Sequence, residues 1–248
     1  MVGFDAYDRK ARLYPGLLAV SSIVFLVVTL GWRQYPPVAV AVGVGVTCGG
    51  GYLLALLVRD AGRRFERSLW QSWGGPPTLL LLRTRTPGVN AVERDARRGA
   101  VQDLSGITLL SADEEEDDPA QADTVIEAAV RQVTRLGQSA AHPLVRAENI
   151  NYGFERNFFA IRWFARILTM VCIGVLLAGL FVAPGQFAGV KVARDSIGVG
   201  IALEVIVLAI WILAPSRRRL RDAADRYADQ LLRAAVSESR AGSGGNLP

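Results

Sequence analysis

The chain has 248 residues, of which 51% are hydrophobic, and its formal net charge is +5. The apolar excess argues against an ordinary water-soluble domain. The basic excess is better explained by anionic lipid head groups than by nucleic acid, although it is also compatible with an anionic ligand. Both cysteines, Cys48 and Cys172, lie in apolar segments, which excludes a disulfide framework of the secreted kind.

Four apolar blocks cover residues 15–32, 37–58, 164–183 and 196–215. Each approaches the ~20 residues that a helix needs to cross a hydrocarbon layer of ~30 Å. The first block is followed by a second full block instead of a cleavage site of small residues, so we expect it to be retained. We therefore predict an all-α membrane protein with four transmembrane helices in two hairpins, residues 15–58 and 164–215.

Basic residues flank these blocks on one predicted side of the membrane. They are Arg9, Lys10 and Arg12, then Arg59, Arg63, Arg64 and Arg67, then Arg156, Arg162 and Arg166, and finally Arg217, Arg218, Arg219 and Arg221. The short connections hold only Arg33, and then Lys191 and Arg194. Because cytoplasmic loops are enriched in Lys and Arg, we expect residues 1–14, 59–163 and 216–248 to be cytoplasmic.

Small residues recur in the second block. Ala41, Gly45 and Gly49 are four residues apart, a spacing that lets membrane helices approach closely. This pattern favours a packing face, and a hinge or a pore lining that includes Thr47 is the alternative. A phosphate-binding turn is excluded because the glycines lie within the span and not between a strand and a helix.

The segment 59–163 is predicted to be a small, mostly helical cytoplasmic module. We expect a helix over 59–72 that stops at the Gly-Gly-Pro-Pro run, a buried strand or extended segment over 78–82, helices over 89–104 and 121–136, and an amphipathic helix over 217–236 before a flexible tail, 242–248. The acidic run 113–118 lacks the ligand spacing of a calcium loop and is predicted to be a solvated loop.

The sequence carries no strong catalytic or metal-binding motif. His142 is the sole histidine and has no cysteine or second histidine nearby to form a zinc site. No Ser/His/Asp, Cys/His or paired-carboxylate arrangement stands out. We expect no enzymatic activity, no metal and no cofactor.

The stretch 146–166 places polar residues immediately before the third span. We expect a helix from about Asn149 with an apolar stripe formed by Ile150, Phe154, Phe158 and Ile161. Aromatic rings and arginines at a head-group boundary explain part of this composition. The alternative is a buried polar network joining the module to the span, with Tyr152 nearby and with Glu148, Asn149, Asn151, Glu155, Arg156 and Asn157 as its members.

Glu204 lies near the middle of the fourth span, where an ionisable residue costs about 2.5–3.5 kcal/mol on insertion scales. It can line an aqueous path, bind a cation, or be protonated against a hydroxyl such as Ser21, Ser22 or Thr47. A neutral structural glutamic acid at an oligomer interface is the alternative.

The pattern over 148–157, with the run 77–83, resembles uncharacterised bacterial membrane proteins that carry Glu-Asn, Asn-Tyr-Gly-Phe and Arg-Asn before a span. Where that pattern reads Arg-Arg-Asn, this chain has Glu155-Arg156-Asn157, so a two-arginine anion site is not implied. The order of spans is also similar to the transmembrane effectors of bacterial anti-phage systems, such as the Hailong membrane effectors. The resemblance implies an oligomeric inner-membrane channel, gated by a nucleotide or DNA oligomer that a partner nucleotidyltransferase makes.

We therefore expect a ligand-gated homo-oligomeric pore, with a tetramer as the working number, that depolarises the membrane and halts an infected cell. Its intramembrane candidates are Glu204, Gly45, Gly49 and Thr47. Arginines of the module are the candidates for binding an anionic signal through charge-assisted hydrogen bonds: Arg83, Arg85, Arg94, Arg97 and Arg98. The alternative is a non-conducting membrane scaffold or assembly factor whose module recruits a cytoplasmic protein.

Overall fold

The computed structural model describes residues 7–30, 50–138, 141–181 and 194–244. These residues form helices joined by turns and short irregular segments, and this described part of the chain contains no β-strand. The all-α prediction is therefore confirmed for it.

Nine α-helices follow one another in the described ranges. A π-helical segment, Asp8–Leu13, leads into α1 (Tyr14–Thr29), which is followed by α2 (Gly50–Trp73), α3 (Pro77–Leu82), α4 (Ala91–Ser105), α5 (Ala112–Asp117), α6 (Pro119–Val133), a 3-10 segment (Thr134–Gln138), α7 (Pro143–Phe181), α8 (Arg194–Leu213) and α9 (Arg217–Gly244). The stop predicted after residue 72 is confirmed, because α2 ends at Trp73 and Gly74 and Gly75 adopt positive φ angles of 80° and 139°.

Three helices in the described ranges are long and apolar enough to cross a membrane. They are Asp8–Thr29 with 22 residues, Pro143–Phe181 with 39 and Arg194–Leu213 with 20. Most of the predicted second span lies outside the described residues, and its last part, 50–58, begins α2. The arrangement of four spans in two hairpins therefore stays a prediction.

Internal contacts divide the chain into two units. The first unit comprises Met1–Phe65 and Gly153–Leu220, and the second comprises Glu66–Tyr152 and Arg221–Pro248. The second unit thus combines a central segment with α9, a pairing of distant segments that the sequence analysis did not anticipate.

The first unit packs α1 against α8 and against the part of α7 that follows Tyr152. Its core contains Ala19, Val58, Phe158 and Trp211, and the rings of Phe158 and Trp211 lie 4.5 Å apart between centroids. Many large apolar side chains on α1, α7 and α8 stay exposed in the isolated chain, as expected for helices that face lipid.

The second unit is a small helical module with an ordinary apolar core. Helices α3, α4 and α5 each contact α6. Leu82, Val101, Ile126, Leu231 and Leu232 are buried in one cluster, so α9 completes a core that the central helices begin.

Three local predictions for the second unit are wrong. Residues 78–82 form most of α3 and not a strand or extended segment, because Pro77 opens a helix in its first turn. The acidic run 113–118 is largely helical in α5, and it is not a solvated loop because Glu115 is fully buried. α9 continues to Gly244, past the predicted start of the flexible tail at Gly242.

Candidate functional site

Glu204 is the strongest candidate for a functional group in the first unit. It lies on α8 and is 0% exposed, on the buried face that also carries Ile197, Gly200 and Trp211. α8 approaches α1 closely at this face, since a Cβ added to Gly200 would lie 2.6 Å from Thr29 side-chain atoms. A carboxyl group is therefore enclosed within the helix packing of a single chain.

The two carboxyl oxygens of Glu204 have no hydrogen-bond partner among the described residues. The Ser22 hydroxyl and the Cys172 thiol are close enough to interact electrostatically with the carboxyl group, but neither contact has hydrogen-bond geometry. An unpartnered carboxyl group in an apolar environment is far less costly when it is neutral than when it is ionised.

A pair of buried hydroxyl groups lies beside this carboxyl group. Ser22 and Thr169 are each 0% exposed, and their oxygens are 2.8 Å apart. Thr169 Oγ1 also donates to the carbonyl oxygen of Ala165 over 2.9 Å. Whichever hydroxyl donates to the other, the pair places two polar oxygen atoms near the carboxyl group of Glu204.

The polar stretch before the third span is only partly joined into a network. In the first unit, Asn157 donates to the carbonyl oxygen of Ala11 over 2.6 Å, and Arg156 Nε donates to Asn157 Oδ1 over 3.3 Å. Glu155 accepts from Arg219 Nη2 over 2.7 Å. These contacts fix the start of the long apolar part of α7.

The remaining members of the predicted network belong to the second unit. Tyr152 donates to Glu66 over 2.6 Å, and Glu148 accepts from Arg226 over 3.4 Å. The side chains of Asn149 and Asn151 form no hydrogen bond within the ranges that the structure covers. A network with all of the predicted members is therefore not formed.

The arginines expected to bind an anionic signal form hydrogen bonds with groups of the protein itself. Arg83 Nε donates to Asp123 over 2.6 Å, and Arg85 donates to Asp123 over 2.7 Å. Arg94 donates to the carbonyl oxygen of Thr84 over 2.9 Å. Arg97 is buried and donates to Asp229 over 2.6 Å.

Glu115 organises the remaining contacts of this arginine set, and the sequence analysis missed it. Its carboxyl group accepts from Thr84 N over 2.9 Å, from Arg85 over 3.0 Å and from Arg98 over 3.3 Å. Arg98 also donates to the carbonyl oxygen of Leu82 over 2.7 Å. These arginines and carboxylates hold the turn after α3 against α4, α5 and α6.

One signal in the sequence could have identified α5. Ser111 and Glu114 have the spacing of a capping box, and the structure forms both of its hydrogen bonds. Asp118 then caps α6 with Pro119 in its first turn. The burial of Glu115 had no comparable signal, because its arginine partners are distant in sequence.

The other intramembrane candidates cannot be placed in this way. Gly45, Gly49 and Thr47 lie outside the described residues. Within the described ranges, no group of three or more His, Cys, Asp or Glu side chains is arranged to hold a metal ion.

Comparison with known proteins finds no relative of the chain. No protein family, no curated protein and no solved structure matches the chain. The functional interpretation therefore depends on the geometry of the described residues and on the sequence.

Proposed function

We propose that the chain is a membrane protein that lets protons or small cations cross the bilayer by way of Glu204. One observation carries the proposal. Glu204 is fully buried in a helix apolar enough to span a membrane, and its two oxygens have no hydrogen-bond partner among the described residues.

A carboxyl group inside a membrane needs either partners that offset its insertion cost or a functional role. Insertion of such a residue costs about 2.5–3.5 kcal/mol on insertion scales, and residues of this kind mark ion and proton pathways in pumps and channels. A purely structural role predicts hydrogen-bond partners, as buried polar groups ordinarily have. The hydroxyls of Ser22 and Thr169 supply neighbouring polar atoms in a part of the helix packing that is otherwise apolar.

The burial of Glu204 also bears on where the path runs. A residue that lines a pore along an oligomer axis is exposed when one chain is considered alone, whereas Glu204 is 0% exposed. We therefore place the path among α1, α7 and α8 of each chain. Assembly of several chains, with a tetramer as the working number, would stabilise these helices without forming the path.

Gating and physiological role are further parts of the proposal. The resemblance to anti-phage membrane effectors supports a path that stays closed until an infection signal opens it in the bacterial inner membrane. The five arginines predicted to bind an anion give little support to a nucleotide or DNA oligomer as that signal, because they donate to the protein's own carbonyl and carboxylate oxygens.

Flux measurements on purified protein in liposomes test the proposal. Proton entry is followed with an internal pH-sensitive dye and cation entry with a potassium-sensitive dye, across applied voltages and with nucleotides or short DNA oligomers added. We expect flux from the wild type and flux at background from Glu204→Gln. The matched control is Asp195→Asn, which removes an exposed carboxylate from the same helix and should keep wild-type flux.

Two outcomes would overturn the proposal. One is wild-type flux at background under every voltage and added signal, and the other is equal flux from Glu204→Gln and the wild type. The first result would favour the non-conducting scaffold, and the second would place the path away from Glu204. The scaffold alternative also gains support from the internal pairing of the five predicted anion-binding arginines, because paired guanidinium groups do not bind a nucleic acid.

A further inference from the structure

The second unit contains a half-open cavity of about 370 Å³. Its wall is formed by the end of α2, by α3, α6 and α9, and by Tyr152, all within this unit. Most of the wall is carbon, from side chains such as Pro77, Leu79, Val130 and Leu231. Both the size and the apolar wall are typical of cavities that bind small organic molecules, which range over about 300–1,000 Å³.

Trp70 lines the cavity with its ring. The indole N–H of Trp70 is buried and has no partner among the described residues. Because no solvent reaches this N–H from the cavity, Trp70 contributes its ring to the apolar wall and no polar contact to a ligand.

The aromatic side of the cavity is held in place by side-chain contacts. The rings of Tyr152 and Tyr227 are nearly parallel, at an interplanar angle of 6° with centroids 6.1 Å apart. The Tyr152 hydroxyl donates to Glu66 over 2.6 Å. The cavity is thus largely formed before any ligand enters, which limits the ordering cost of binding.

The mouth of the cavity carries one unpaired cationic group. Arg131 lines the cavity and is exposed, and its guanidinium forms no hydrogen bond or ion pair within the part of the chain that the structure describes. Arg83 and Arg85, in the same unit, are both paired with Asp123. Glu127 lies one turn away from Arg131 on α6 and also lines the cavity, so its charge disfavours ligands with several negative charges.

We propose that this cavity binds a small amphipathic monoanion, in which an apolar body fills the cavity and a carboxylate or similar group pairs with Arg131. Two sources share this chemistry, a single-chain lipid released from the membrane and a soluble aromatic carboxylate. The site does not involve Glu204. It lets the second unit bind an anion although the five predicted anion-binding arginines are paired within the protein.

Calorimetric titration of the full chain in nanodiscs tests the site, with the heat from empty nanodiscs subtracted. The probes are dodecanoate and 2-naphthoate, each compared with its uncharged alcohol. We expect saturable binding of at least one carboxylate. Arg131→Gln should weaken carboxylate binding by about tenfold, the loss of one charge-assisted hydrogen bond, and leave binding of the alcohol unchanged.

Two further variants make the test specific. Arg135→Gln removes an exposed arginine one turn further along that does not line the cavity, and it should bind as the wild type does. Ala228→Phe fills the cavity and should abolish binding of both carboxylates and alcohols. If Ala228→Phe does not fold, the comparison of Arg131→Gln with Arg135→Gln decides alone.

Each outcome has a defined meaning. Binding of dodecanoate alone assigns the lipid source, and binding of 2-naphthoate alone assigns the soluble one. The proposal is wrong if neither carboxylate binds saturably, or if Arg131→Gln and Arg135→Gln bind equally well. Because calorimetry requires no ion flux, failure here leaves the proposal about Glu204 untouched.

Discussion

Asn157 lies directly against Gly62, so closely that a Cβ added to Gly62 would be 1.9 Å from Asn157 Oδ1. The same amide donates from Nδ2 to the carbonyl oxygen of Ala11, which ties α2, α7 and the π-helical segment together at a fully buried point of the first unit. Only a residue without a side chain fits there.

We expect Gly62→Ala to destabilise the protein by about 1–3 kcal/mol, the usual cost of overpacking a close contact. The new methyl group must displace the Asn157 amide and disturb its bond to Ala11. Thermal unfolding in nanodiscs measures the change. Gly99→Ala is the control, because Gly99 lies within α4 with no atom near its added Cβ, and a helical alanine there should raise stability by about 0.5–1 kcal/mol. Equal melting of Gly62→Ala and the wild type would contradict the packing described.

Glu115→Gln should lower the free energy of unfolding of the second unit by about 1.5–3 kcal/mol, because it removes the charge from a buried group that accepts hydrogen bonds from two arginines. Urea unfolding followed by tryptophan fluorescence gives the value. Glu116→Gln, one residue further on and exposed, should have almost no effect. A small effect from both variants would mean that Glu115 does not organise this region.

A pH dependence is expected at the start of α5. Hydrogen bonds from the Ser111 backbone N–H and hydroxyl lower the pKa of Glu114 below its ordinary value of 4.5. A lowered pKa in the folded state means that the ionised group stabilises α5 fully above pH 4.5, and that this stabilisation is lost as the pH falls through the folded value.

Hydrogen exchange of the peptide over residues 111–118 measures this effect. Glu114→Gln should exchange faster than the wild type at pH 6, and the difference should shrink as the pH falls below 4.5. Glu116→Gln supplies the control for loss of one negative charge. A difference that does not change with pH would rule out ionised Glu114 as the cause.

The hydroxyl pair beside Glu204 is expected to be energetically coupled. A double-mutant cycle of Ser22→Ala and Thr169→Val should give a coupling free energy of about 0.6–1.7 kcal/mol, the range measured for hydrogen bonds between membrane helices. If the hydroxyl pair lies on the path past Glu204, Ser22→Ala should also reduce proton flux in liposomes. The matched control is Ser21→Ala, since Ser21 donates to its own helix at the carbonyl oxygen of Leu18.

Cysteine labelling of intact cells tests the predicted orientation. In a chain with Cys48 and Cys172 replaced, a membrane-impermeant maleimide should not react with Val92→Cys until the cells are opened, although Val92 is 79% exposed. Lys191→Cys, in a connection predicted to be periplasmic, should react in intact cells. Labelling of Val92→Cys in intact cells would place the second unit outside the cytoplasm and remove the basis for an intracellular signal.

The sequence predicted the helices whose apolar residues recur with the helical period, including much of α4, α6 and α9. It failed at α3 and α5, which have six residues each and too few turns to show that period. The cap at Ser111 and the proline at Pro77 were the usable signals.

The sequence predicts Glu204 as the central residue of the candidate site, but it does not predict all of the residues around it. Glu204 is conspicuous because it interrupts an apolar run, and the sequence offers Ser22 as one of three neighbouring hydroxyls. It does not predict Thr169, because no local pattern relates a residue on α7 to one on α1. Likewise, the partners of the five arginines come from distant segments, so the charges that neutralise them could not be recognised by spacing alone.

The discontinuous core of the second unit has a consequence for biosynthesis. Leu231 and Leu232 belong to that core, yet the ribosome makes them only after α7 and α8. The core of the central helices therefore lacks these side chains while the later apolar segments enter the bilayer. Slow insertion should leave the nascent chain dependent on chaperones, and a stalled chain that lacks α9 should be a favoured substrate for quality-control proteases.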